Sequence, residues 1–185
     1  METKTHKTKK LRYLAPEYVS EPNRFLKEVV QNWGINWSLN FGFLFSYSMC
    51  PMLDRNRVFD YGFTYLHLAQ MIEAAYAVLK MRNWQPTSKK KLFQYKDFGE
   101  LSALLLDKEK IDAQRIICDF FGFMNLRDWY DFLDELLLSS DINNKRKQGY
   151  EIEQELLIAR EFILLLPDAL LQIHKDNVAY FNPQS

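Results

Sequence analysis

Residues 35–49 read INWSLNFGFLFSYSM, in which every odd position from Ile35 to Met49 is apolar while Leu44 alone is apolar among the even ones. Strict alternation over such a length is the pattern of a half-buried strand. Phe59, Tyr61, Phe63 and Tyr65 alternate in the same way beyond a turn-like stretch, Cys50 to Arg57, that contains Pro51, Asp54 and Asn56. Read locally, a β-hairpin covers about 36–66.

Comparing the chain with itself points elsewhere. Displaced by 91 residues, the two halves align without a gap: Arg24 falls on Arg115, Val29 on Phe120, Phe41 on Phe132, Phe45 on Leu136, Leu66 on Leu157 and Ile72 on Ile163. Self-similarity of this kind is tested before local patterns are trusted. The counterpart of the alternating stretch is Leu126 to Ser140, where Trp129, Phe132, Leu133, Leu136 and Leu137 step at three and four between Arg127, Asp128, Asp131, Asp134 and Glu135. That is an amphipathic helix. If the halves share a fold, residues 35–49 coil as well, with Ser38, Asn40, Gly42, Ser46 and Ser48 letting neighbouring helices approach.

The expected fold is therefore all-α: six to seven helices in a compact bundle of two similar three-helix units. The units span 20–83 and 111–175, joined by a linker and short helix over 84–110. An α+β fold with the hairpin at 36–66 is the alternative. Ser20, Glu21 and Pro22 predict a helix start, through a capping hydroxyl, an acid at the positive pole and a proline in the first turn. That helix runs to Trp33, with Gly34 as its stop. Tyr65 to Asn83 predicts another, striped by Leu66, Ala69, Ile72, Tyr76 and Leu79, and Tyr150 to Lys175 a third that Pro167 kinks or restarts. Residues 1–12 read as a mobile basic tail, since Met1 to Lys10 hold five Lys or His. A single domain fills 13–185.

Composition removes several functions. Of 185 residues, 24 are Lys or Arg and 24 Asp or Glu, so no whole-surface attraction to nucleic acid or anionic lipid operates. Six scattered glycines build no phosphate-cradling loop. No apolar run, Phe162 to Leu166 included, is long enough to cross a bilayer, so the expectation is a cytoplasmic protein without membrane contact. Cys50 and Cys118 lie in apolar surroundings and read as buried thiols.

Catalytic patterns fail in turn. His6, His67 and His174 have no HExxH or ExxH partner, and GxSxG is absent. No metal, cofactor or catalytic set is expected; convergence of His67, Glu73 and Arg82 in one cleft would argue otherwise. The acids Asp128, Asp131, Asp134 and Glu135 read as a solvated face, or as a dock for a basic partner. What remains is aromatic excess, four Trp, ten Tyr and fourteen Phe. Trp37, Phe41, Phe43, Phe45, Tyr47, Phe59, Tyr61 and Tyr65 are the candidate surface of a non-catalytic interaction or scaffold module that binds a protein partner or its own copy. The alternative is nucleic-acid binding or regulation through Lys89, Lys90, Lys91 and Lys96 with Lys145, Arg146 and Lys147, where cations meet phosphates and Phe93 and Tyr95 stack bases.

Overall fold

A computed structural model describes residues 11–22, 61–88, 112–143 and 154–181, together with Arg24, Phe25, Lys27, Glu28, Phe41, Gly42, Leu44 and Phe45. Among them are five helices, α1 (Pro16–Ser20), α2 (Tyr61–Met81), α3 (Ala113–Phe123), α4 (Leu126–Asn143) and α5 (Gln154–Phe181), and no strand. Phe41, Gly42, Leu44 and Phe45 are helical and Tyr61 to Tyr65 begin α2, so the hairpin alternative fails. Phe41 and Phe45 sit on coiled backbone with Leu44, and all three, about one helical turn apart, are buried.

The helices begin and end for local reasons. Asp112 caps α3, its carboxylate accepting the Arg115 N–H at 2.9 Å. Asn125 opens α4 with a reciprocal box: its side-chain oxygen accepts from the N–H groups of Arg127 (2.9 Å) and Asp128 (3.3 Å), while Asp128 accepts from Asn125. α2 stops at Asn83, whose φ of 51° is left-handed. The Trp84 N–H reaches Leu79 O at 3.0 Å and the Asn83 N–H reaches Lys80 O at 3.2 Å, closing the last carbonyls.

Two sequence expectations shift. Ser20 is the last residue of α1 rather than a cap, and its hydroxyl donates back to Glu17 O at 2.9 Å. Glu21 breaks the helix with φ −130° and ψ 67°, and helical backbone resumes at Pro22. Pro167 does not restart α5, which runs through it from Gln154 to Phe181. A proline inside a helix costs one backbone hydrogen bond, offset here by packing of Leu165, Leu166, Ala169 and Leu170.

α2 is central, touching α1, α3, α4 and α5, while α3 packs chiefly on α5 and α4 on α2. Met71 to Ala75 are buried without interruption, the small Ala69, Ala74 and Ala75 allowing helices close on several sides. Leu66, at the head of the predicted stripe, is exposed instead. Between α3, α4 and α5 an aromatic stack fills the core: Trp129 lies on Phe120 at 4.1 Å and 15°, donating its ring N–H to Phe120 O at 3.2 Å, and Phe162 meets Phe120 edge-on.

The 84–88 linker is fastened across α3. Thr87 donates its N–H to Cys118 O at 2.9 Å and its hydroxyl to the buried Asp119 at 2.5 Å. Gly122 lies beneath, where a Cβ would stand 2.2 Å from Thr87 O. Its glycine is a condition of that crossing. Cys118 is a buried free thiol whose pKa is pushed up by burial, then by Asp119 and Asp112. No helix among the described residues is long and apolar enough to cross a membrane.

Candidate functional site

Glu73 is wholly buried in the middle of α2. An unpaired carboxylate there would cost several kcal/mol. The chain resolves this from outside the helix, because residues 12–14 bend over α2 and present three successive N–H groups. Glu73 accepts from Arg12 N at 2.6 Å, Tyr13 N at 3.0 and 3.1 Å and Leu14 N at 2.6 Å, and the Tyr130 hydroxyl donates to it from α4. Four donors meet the acceptor capacity of one carboxylate. Gln70 adds a bond to Tyr13 O at 3.3 Å.

A second chain of bonds runs beside the first. Tyr13 donates to the Tyr65 hydroxyl at 2.9 Å, and Tyr65 donates to Asp134. The Tyr13 ring stands edge-on to both Tyr65 and Tyr130, each at 5.8 Å. Burial, with Asp134 next, pushes the Tyr65 hydroxyl far above its usual pKa, and burial with Glu73 does the same for Tyr130. Both keep their protons at any physiological pH. The tail boundary expected at residue 12 is thus corrected: Leu11 packs on the core and Arg12 is latched by its backbone.

Latching Arg12 has a consequence for the surface. A groove of about 690 Å³ opens beside the latch, lined by Arg12, by Tyr76, Leu79 and Lys80 of α2, by Pro86, by Phe121 of α3 and by Asn125, Leu126, Arg127 and Tyr130. No carboxylate lines it among the described residues. The Arg12 guanidinium lies 4.8 Å over the Tyr130 ring and the Lys80 ammonium 5.2 Å over Tyr76, whose ring meets Phe121 edge-on at 5.4 Å. Neither Arg12 nor Lys80 has a carboxylate partner within ion-pair distance among the described residues; Arg127 has Asp131 at 3.9 Å, both well exposed.

The sequence-predicted residues fall elsewhere. Phe41, Phe45 and Tyr65 are 2%, 6% and 9% exposed, so these three rings are core rather than binding surface. They are inside because the helices that carry them pack with their neighbours on that face. Trp37, Phe43, Tyr47 and Phe59 lie outside the described residues, as do Lys89, Lys90, Lys91, Lys96, Lys145, Arg146 and Lys147, and Tyr61 is placed by its backbone alone. His67, Glu73 and Arg82 do not converge: His67 Nδ1 donates to Phe63 O at 2.7 Å and Arg82 reaches Asn177 at 2.6 Å, away from the Glu73 latch. The acids of α4 divide their work, with Asp128 in the cap, Asp131 beside Arg127 and Asp134 under Tyr65. No three His, Cys, Asp or Glu side chains gather as a metal site among the described residues.

Sequence reasoning passed over the latch and the groove. Their one local signal was Glu73 itself, the sole charged residue between Met71 and Leu79. Comparison with protein-family models, with curated proteins and with solved structures returns no match to this chain.

Proposed function

We propose that the chain is a non-catalytic helical interaction module whose binding surface is the cationic groove between α2, the 84–88 linker and the start of α4, and whose partner is another protein. One observation carries this reading: Arg12 and Lys80 stand in a groove that no carboxylate lines among the described residues, each held over a tyrosine ring. Cations that share one groove without a carboxylate at ion-pair distance gain most when a partner supplies the counter-charge. The buried carboxylates, by contrast, are committed to the fold, Glu73 to the latch, Asp119 to Thr87 and Glu161 to Arg160. None is left poised as a general base.

The body that carries the groove is, in this reading, two similar three-helix units in which α2 and α5 correspond. The helical state of Arg24 and Phe25, matching Arg115 and Ile116 in α3, supports it, as does that of Phe41, Leu44 and Phe45, matching Phe132, Glu135 and Leu136 in α4. The test of function is affinity purification with the wild-type chain against an Arg12→Glu, Lys80→Glu variant, read by quantitative mass spectrometry. Proteins recovered by the wild type and lost from the variant are the expected result. Equal recovery by both, or a dimer by light scattering that survives both reversals, would move the binding surface elsewhere.

A further inference from the structure

Building on that reading, we infer that the groove receives a short acidic segment of the partner, its carboxylates meeting Arg12 and Lys80. Three features of the groove select this chemistry. Its charge is cationic and owed to side chains, because the first N–H groups of α4 are already taken by Asn125. Its lining adds a third cation, Arg127, and the amide of Asn125 to Leu79, Phe121, Leu126 and the two cation-covered tyrosines. Its volume, about 690 Å³, falls within the range of roughly 300–1,000 Å³ that encloses a ligand of a few side chains.

The same features disfavour a nucleic acid. Bases need an open ring face, yet Phe121 is 5% and Tyr130 2% exposed, and the Tyr76 and Tyr130 rings are each covered by a cation. A phosphodiester chain also needs a continued run of positive charge. Beyond Arg127 the α4 surface turns acidic at Asp128, Asp131 and Glu135, which repels a long polyanion and tolerates a short one. The latch gives the site part of its specificity: Glu73 fixes the backbone at Arg12, so the guanidinium is delivered before the ligand arrives.

A random-peptide phage library selected on the immobilised full chain tests this. The expected peptides are rich in Asp or Glu; synthetic copies bind the wild type with an affinity that falls as salt rises, and bind the Arg12→Glu, Lys80→Glu protein at least about tenfold more weakly. Circular dichroism melting confirms that the variant is folded, and Arg12→Ala with Lys80→Ala serves if reversal unfolds it. Selected peptides that lack acids, or that bind both proteins equally, overturn the groove assignment while leaving the interaction module standing. So does fluorescein-labelled oligo(dT) binding that is lost in the variant, since that makes the groove a polyanion site. A library that yields no binder overturns the inference, and the affinity purification above then decides separately whether the module reading falls with it.

Discussion

The Tyr130 hydroxyl donates to the Glu73 carboxylate across the α2–α4 contact, inside the bundle, where the same carboxylate holds the backbone of Arg12, Tyr13 and Leu14. One buried side chain thereby joins two helices and the strap that supplies a wall of the groove. Glu73→Ala strands four donors, and Glu73→Gln turns an amide NH₂ toward N–H groups. Each is expected to cost about 3–5 kcal/mol in urea denaturation, because buried donors lose a charged acceptor. Tyr130→Phe, which removes one donor of four, is expected to cost about 1–3 kcal/mol. A loss below about 0.5 kcal/mol for Glu73→Ala would mean the strap is not held there.

Gly122→Ala distinguishes the linker crossing from an ordinary helix position. In an open helix the change stabilises by roughly 0.5–1 kcal/mol. Here the new methyl would stand 2.2 Å from Thr87 O, so the linker must lift and lose the bonds from Thr87 to Cys118 and Asp119. Destabilisation by about 1–3 kcal/mol is expected. Thermal melting of the variant reads the sign directly.

Stability should decline in alkali. Burial, with Asp134 and Glu73 as acceptors, raises the folded-state pKa of Tyr65 and Tyr130 above the ordinary 10.0. Below that value both folded and unfolded chains keep the protons and nothing changes. Above it the unfolded chain sheds protons that the folded chain retains, so unfolding grows easier as pH rises. Chemical denaturation repeated above pH 10 should show a falling midpoint, less steep in a Tyr65→Phe, Tyr130→Phe protein. Absorbance at the tyrosinate band should report these two rings only as the chain unfolds.

The helical class was legible because the alternation of Ile35 to Met49 could be weighed against the three-and-four stepping of Leu126 to Ser140. Asn83 was legible as an end, being a residue type that tolerates left-handed backbone. Ser20 misled, since its hydroxyl serves a C-terminal carbonyl as readily as an N-terminal amide. The aromatic surface misled further: a ring count cannot tell core from interface, and Phe41, Phe45 and Tyr65 are core. The groove was illegible for a different reason. Arg12, Lys80 and Arg127 are far apart in sequence, and Arg12 is brought to the groove by Glu73, whose partners lie about sixty residues away on either side.

Trp129→Ala is expected to be the most damaging single truncation in the α3–α4–α5 stack. The ring is fully buried, stacked on Phe120 and bonded to its carbonyl, and its loss leaves both a cavity and an unpaired acceptor. The cost should be about 3–5 kcal/mol, against a smaller one for Trp129→Phe, which keeps most of the stacking. Denaturant midpoints of the two variants give the comparison.

Amide hydrogen exchange at Arg12, Tyr13 and Leu14 bears most directly on the claim that the strap is part of the folded body and not a tail. These amides belong to no helix, and Glu73 is their acceptor. They should exchange at least about a hundredfold more slowly than free peptide in the wild type, and lose that protection in Glu73→Gln under conditions where α2 stays protected. Exchange at the free-peptide rate in the wild-type chain would contradict the latch, and with it the delivery of Arg12 to the groove.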